Sequence, residues 1–434
     1  MVLGQRFVPM NRYSFWLASA VALCSLFGAG HLSTHGAATY AEMVQARKEG
    51  KPNIILIVVD SLTADDLGAY TQKASRTPRT DRLAAGGMRF TQAYAGAADP
   101  FLSRAVLLTG FSPRRIRIED DCPPGFLPAS DVTVAEVLQA AGYRTGAVGL
   151  WNLGGPGSLG APNQQGFDEW LGCQDSRHAR DTHPEFLWRN ERQMPVRENS
   201  GGKKGVKAAD YFARAALNFV RSYQRFPIFL YWAYPAPPPE ERESLAVRFD
   251  AHLGQLLDLL RELRLEDSTA LFITGGRGTA FPTAPPPSNG TNTLNSPASH
   301  GDLADQALRV PLIVHWKGRI PGGKASNQPC GFLDFLPTAA EMARTSPASG
   351  FEGLSLMPAL GGDATTEIRR LLSWEARRPV LREALRRGEW KALRTAPEKP
   401  IELYHLLNDP GETNNVALQH PDLVNELAEH FRRN

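Results

Sequence analysis

Cysteine is scarce in this chain, which has only Cys24, Cys122, Cys173 and Cys330. Cys24 lies in the N-terminal leader, so the body of the chain keeps three thiols, enough for at most one intramolecular disulfide. That excludes a disulfide scaffold and assigns stability to a hydrophobic core, with each thiol read as a small buried apolar side chain. A strong charge of either sign is missing too. Lys and Arg number 48 against 45 Asp and Glu, a formal charge of +3. Arg6 and Arg12 belong to a leader with no acid before Glu42, which leaves the remainder at about +1. A near-neutral chain of this kind is not a general nucleic-acid binder, because such binders work by neutralising phosphates.

What the leader does contain is an export pattern. Arg6 and Arg12 precede the apolar run "FWLASAVALCSLFGAG", and small residues including Ala37, Ala38 and Ala41 follow it. The run is shorter than the ~20 residues of a spanning helix. A signal peptide is expected, which places the protein outside the cell or in the periplasm, with membrane contact only if the segment stays uncleaved. Leu23 before Cys24 argues against lipidation, since that processing site calls for a small residue.

The body opens with "KPNIILIVVD". Its β-branched run from Ile54 to Val59 is apolar on both faces and ends in Asp60, the pattern of a central parallel strand. Ligands of α/β folds gather at the carboxyl ends of such strands. Further strands are expected at "RTGAVGL" (144–150), "PIFLYWAY" (227–234), "ALFITGG" (270–276) and "VPLIVHW" (310–316). Between them lie helical patterns in "TVAEVLQAAG", "KAADYFARAALNFVRSY" and "AVRFDAHLGQLLDLLREL". This alternation implies a mostly parallel sheet with helices on both faces. The Pro-, Ser- and Asn-rich segment 279–301 is expected to be an exposed loop beside a strand end. From about 350 the pieces shorten, predicting a small antiparallel sheet and a last helix near 420–433. The expected organisation is a leader over 1–40, an α/β domain over 50–345 and a small α+β subdomain over 346–434.

The order of motifs carries a resemblance. From "PNIILIVVDSLTADDLGAY" through "TPRTDRLAAGGMRFTQAYAG", "SRAVLLTG", "GFDEWLG", "FLYWAYPAP" and "RVPLIVHWKGRIPGG" to "ELYHLLNDPGETNNVA", the chain resembles the sulfatases of the alkaline phosphatase superfamily. The resemblance covers nearly all of 52–425. It implies a doubly wound, mostly parallel sheet flanked by helices, with a small C-terminal antiparallel sheet. It also implies a site: family members hold calcium with carboxylates and an amide from two strand ends, and oxidise the cysteine of a C-x-P-S-R motif to formylglycine. The aldehyde hydrate attacks sulfur while the metal and basic side chains neutralise the sulfate oxygens.

Matched to that pattern, "PFLSR" puts Pro100 at the cysteine and Leu102 at the proline, and keeps Ser103 and Arg104. Asp60 is followed by Ser61 where the family has a second aspartate, and Gly276 and Arg277 stand where it has Asp-Asn. In "GLWNLG", Leu150 and Asn152 replace a lysine and a histidine; Pro238 replaces another histidine, and His300 falls where a lysine is expected. Calcium takes about 6–8 oxygens. A set made of Asp60, Ser61, Gly276 and Arg277 does not supply them, and Arg277 would bring a fixed cation to the place of the bound one. No metal or other cofactor is expected.

Each survivor also has a plain structural reading. Asp60 either pairs with Arg277 or Arg104 or caps the following turn, and Arg104 either binds an anion or makes a salt bridge. His300 reads as a solvated loop residue before it reads as a base, and Trp151 reads as core. Asp99, Ser103 and Thr109 are the other nucleophile candidates, though no histidine is placed to activate Ser103. Asp65 and Asp66 read as acids of a helix start. The expected function is that of a catalytically degenerate sulfatase-like protein, with Arg104, Arg277 and His300 as contacts for a sulfated glycan or other anion, or else of a partner subunit. A sulfuric or phosphoric ester hydrolase with a rewired site stays open as the alternative.

Overall fold

Seven consecutive buried residues, Asn53–Val59, form β1 at the centre of the main sheet. The computed structural model describes residues 39–71, 76–116, 127–276, 300–346, 350–362, 370–377 and 380–432. The leader before Thr39, Cys122 and Arg277 lie outside these residues. Among the described residues no helix is long and apolar enough to cross a membrane.

Strands β2 (Met88–Tyr94), β3 (Arg144–Leu150), β4 (Glu169–Cys173), β5 (Phe186–Arg189), β6 (Arg192–Pro195), β7 (Ile228–Tyr234), β8 (Thr269–Gly275), β9 (Arg309–His315) and β10 (Lys324–Ser326) complete the sheet path. Its order is β10-β2-β9-β8-β1-β7-β3-β4-β5-β6, with the short β11 (Cys330–Gly331) paired to β2. The centre, β8-β1-β7-β3-β4, is parallel. Strand β9 runs antiparallel to both β8 and β2, and β5–β6 is an antiparallel hairpin at the far edge. The expected doubly wound, mostly parallel sheet is what the chain forms. At the start of β1 the Asn53 side chain donates to Thr269 and accepts from the Ile228 amide, tying three central strands in register.

Alternate β1 residues feed opposite layers. Helices α1 (Tyr40–Lys48) and α2 (Pro78–Ala85) come first in the chain; Ile54, Leu56 and Val58 pack with α3 (Pro100–Thr109) and α4 (Val134–Ala140), while Ile55, Ile57 and Val59 pack with α6 (Ala208–Tyr223) and α7 (Leu245–Glu262). Each fully buried Ile or Val stabilises the fold by roughly 1.5–3 kcal/mol relative to exposure. The thiols of Cys173 and Cys330 are buried in these layers, and burial raises the pKa of both. They behave as apolar side chains.

A second sheet, β12 (Leu371–Ala376), β13 (Arg382–Arg387), β14 (Trp390–Arg394) and β15 (Glu402–His405), is antiparallel throughout. The last helix, Pro421–Arg432, packs on it through Leu427 and Phe431. Its other face shares a core with Tyr94, Ala98, Leu303 and Leu308 of the main body.

Candidate functional site

The helix that borders the site begins in a way local chemistry explains. Asp99 is the N-cap of α3 and its carboxylate accepts from the Leu102 amide at 2.9 Å. Pro100 follows at the first helical position, where its missing N–H costs nothing and its fixed φ suits the helix. Residues Phe101–Thr109 are all buried, so α3 is apolar around its circumference and sits inside the protein. Gly96 lets it in: a Cβ there would lie 2.5 Å from Cβ of Val106. Gly110 ends the helix at φ 68.

Pro100, Ser103 and Arg104 of α3 line a cavity of about 220 Å³ at the carboxyl ends of the central strands. Asp60, Ser61 and Gly276 face it from the ends of β1 and β8, Leu150 from β3 and Tyr231 from β7. Ser176 and Arg180 close the remaining side, from helix α5 (Ser176–Arg180). Backbone bonds from the Asp60 amide to Tyr234 O and from the Gly276 amide to Val59 O hold the strand ends together. Ser61 turns the chain away at φ 66.

Arg104 is the charge centre of this cavity and is only 5% exposed. Its Nε donates to the Tyr231 hydroxyl at 3.0 Å, and Nη2 approaches the Asp60 carboxylate at 3.5 Å. Nη1 is buried with no hydrogen-bond partner among the described residues. Burial disfavours the guanidinium charge, but Tyr231 and Asp60 outweigh it and hold the pKa above the ordinary value. Burial likewise raises the Tyr231 pKa against the pull of Arg104, so the phenol stays neutral. Its oxygen accepts from Arg104, which leaves the hydroxyl hydrogen for another group.

The other nucleophile candidates are engaged. Asp99 is a cap, Ser103 Oγ accepts from the Gly96 amide at 3.1 Å, and Thr109 Oγ1 donates to Ala105 O at 2.8 Å. Asp66 accepts from Thr63 and from Arg242 Nη2, the latter at 2.7 Å, and so serves the turn after β1. Trp151 is core, with Nε1 donating to Gly160 O at 2.7 Å. Asn152 takes φ 58 beside it.

His300 departs from the expectation of a solvated loop residue. It is 4% exposed and does not line the cavity. Its Nε2 lies 3.3 Å from Glu402 and 3.2 Å from the Tyr404 hydroxyl, and its Nδ1 lies 3.6 Å from Glu412. Glu412 also pairs with Lys391, and both are buried. Burial works against a charge on His300, yet bonding to Glu402 and Glu412 pushes its pKa up to about 9. The residue thus anchors the start of segment 300–305 to the C-terminal sheet. Of the expected site residues, then, Asp60, Ser61, Gly276, Pro100 and Arg104 meet around one cavity, His300 does not, and Arg277 lies outside the described residues.

Tyr231 and Arg180 were not singled out by their sequence. A tyrosine inside a strand buried on both faces needs a partner for its hydroxyl, and that was the available signal. Arg180 sits on a five-residue helix with no motif to mark it.

The donor set of the described residues does not fit calcium. Among the described residues Asp60 is the only carboxylate lining the cavity, and it faces the Arg104 guanidinium. A Cβ on Gly276 would fall 2.3 Å from Asp60 Oδ1, so the carboxylate occupies the space a side-chain ligand there would need. Among the described residues no three His, Cys, Asp or Glu are grouped to hold a metal ion.

Comparison with known proteins decides the family, because the Sulfatase profile matches residues 52–239 and 240–345. The chain belongs to the sulfatase family. A profile for the C-terminal part of N-sulphoglucosamine sulphohydrolase matches 302–434. N-acetylgalactosamine-6-sulfatase of Canis lupus familiaris is 32% identical over 359 residues, covering 72% of this sulfatase-family chain and 67% of that protein. Arylsulfatase A of Homo sapiens is 31% identical over 449 residues, covering 87% and 86%. Among solved structures, Ps i-CgsB superposes with a TM-score of 0.73 at 24% identity, covering 88% of this chain and 92% of that one. A structure solved with its substrate D-Glucosamine-2-N, 6-O-disulfate gives 0.69 at 18% identity, covering 88% and 98%. These two likenesses concern the fold.

Proposed function

We propose that this exported sulfatase-family protein binds the anionic group of a sulfated glycan in the Arg104 cavity and does not hydrolyse sulfate esters by the formylglycine route. The observation that carries the reading is the cavity wall itself. Pro100 occupies the first turn of α3, at the position matched to the oxidised cysteine, one helical turn from a guanidinium whose buried Nη1 has no hydrogen-bond partner among the described residues. A proline cannot become an aldehyde, while Arg104 Nη1 and the Tyr231 hydroxyl are two donors suited to anion oxygens. Arg180 adds positive charge at the rim. The relatives support the ligand class, since one structural neighbour is named with a disulfated glucosamine and another with k-i-k-neocarrahexaose.

A cavity of about 220 Å³ favours a bound group over a purely structural, filled site. A rewired hydrolase would need a nucleophile, and on α3 Asp99 is spent as a cap, Thr109 bonds Ala105 O, and Ser103, which lines the cavity, has no histidine among the described lining residues to activate it. The test is calorimetry with D-glucosamine-2-N,6-O-disulfate beside a chromogenic aryl sulfate assay. Saturable binding that weakens tenfold or more in Arg104→Ala, without turnover, is expected. Multiple turnover by the purified wild type would overturn the proposal, and so would absence of binding.

A further inference from the structure

The C-terminal sheet carries a concavity that the Arg104 cavity does not account for. It holds about 550 Å³, within the ~300–1,000 Å³ of small-molecule sites, and is open to solvent. Trp390 and His405 are directly opposed across β14 and β15, and His420 approaches the same indole from the chain before the last helix, with ring centroids 4.6 and 4.7 Å from that of Trp390. Asn408 and Asn414 stand on the rim.

The rim is built rather than slack. The Asp409 carboxylate accepts from the Thr413 amide at 2.8 Å and the Asn414 amide at 2.9 Å, closing the loop on itself. His405 is fixed at both nitrogens, with Nδ1 accepting from the Asn408 amide at 3.4 Å and Nε2 lying 3.3 Å from Glu389. In contrast, the indole N–H of Trp390, the ring nitrogens of His420 and the side-chain amides of Asn408 and Asn414 have no hydrogen-bond partner among the described residues. The exposed Leu407 and Leu418, 70% and 94% accessible, are sequence neighbours of this lining.

We propose that this concavity is a second binding site, for an uncharged sugar unit of a glycan. An indole gives an apolar surface to the C–H face of a pyranose, and planar amides and imidazole offer donors and acceptors matched to hydroxyls. A pre-held rim lowers the ordering cost of binding. Charge selects the kind of sugar. Among the described residues no lysine or arginine lines the concavity, whereas Asp409 lines it and Glu389 adjoins it, so a sulfated unit would meet repulsion here. The inference rests on these residues alone and does not depend on the reading of the Arg104 cavity.

The test uses the full chain and two neutral probes, chitohexaose and neoagarohexaose, titrated by calorimetry and by saturation-transfer NMR. At least one should bind with a Kd of about 1 mM or tighter, a range typical of weak recognition. Binding should be insensitive to salt, because no ion pair is formed. Trp390→Ala should abolish it. Since Trp390 also packs against the last helix's core, the exposed pair His420→Ala with Asn414→Ala serves as the second variant and should weaken binding at least tenfold while leaving the circular dichroism spectrum unchanged. Failure of both probes to saturate, or unchanged affinity in the His420 and Asn414 variant, overturns the inference.

Discussion

Arg104 and Tyr231 meet inside the protein, the guanidinium Nε donating to the phenol oxygen over 3.0 Å, with Arg104 5% and Tyr231 1% exposed. Tyr231→Phe keeps the ring and removes the acceptor, leaving a charged donor stranded without solvent. The expected loss is about 1–3 kcal/mol in urea unfolding. An unchanged midpoint and slope would mean that water replaces the phenol and that the cavity is wetter than its walls suggest.

Pro100→Cys should not create a sulfatase. On the proposed reading the variant still has Leu102 where the family has a proline, and the described lining residues give no donor set for a metal that would polarise the sulfate. Expressed in a host with the maturation enzyme, it should show no multiple turnover of aryl sulfates. Steady turnover from this single change would refute the account of the metal positions.

Calcium should neither bind nor stabilise. A ligand that binds the native state raises apparent stability by mass action, about 2.7 kcal/mol at a hundredfold excess over Kd. Thermal unfolding with and without millimolar calcium should therefore coincide. A rise in Tm that saturates with calcium would require oxygen ligands other than those lining the cavity.

His300 predicts a pH dependence. Its pKa of about 9 in the folded protein lies above the ordinary 6.5, so folding favours its proton. The stability this brings is fully present below about pH 6.5 and is lost as pH rises through about 9. By linkage it amounts to about 3 kcal/mol at most. Urea unfolding at a series of pH values should show the decline, and His300→Gln should flatten it. An equal decline in wild type and variant would assign the effect elsewhere.

The legible parts of the fold were those where composition leaves little choice. Strands β1, β7, β8 and β9 are runs of apolar, largely β-branched or aromatic residues long enough for one strand and too short for a helix pair; these, and the glycine-bearing β3, lie within a residue or so of their expected spans. The direction of β9 was not written there, because a buried strand reads the same whether its neighbour is parallel or antiparallel. The β5–β6 hairpin was silent for another reason. Its two strands are only four residues each and mostly exposed, with no alternation of polar and apolar residues, and it turns through Asn190, φ 53, followed by Glu191 in place of the glycine that marks such turns. Within the site, Asp60 and Arg104 could be placed because motifs flank them. His300 could not, since its partners Glu402 and Glu412 lie a hundred or so residues onward in sequence and only the packing of the second sheet brings them together.

Pro100 gives the proposed loss of chemistry a direction in time. At a first helical position a proline narrows the unfolded chain without straining the folded one, an advantage of about 0.4–1 kcal/mol over most residues. On the proposed reading, the step from cysteine to proline relieved a lineage of a demanding oxidation and made its helix start more secure. The reverse step forfeits that security before any activity returns, since Leu102, Gly276 and Leu150 would still be unchanged. On that reading the substitution acts as a ratchet, because a single reversal costs helix security and restores no activity.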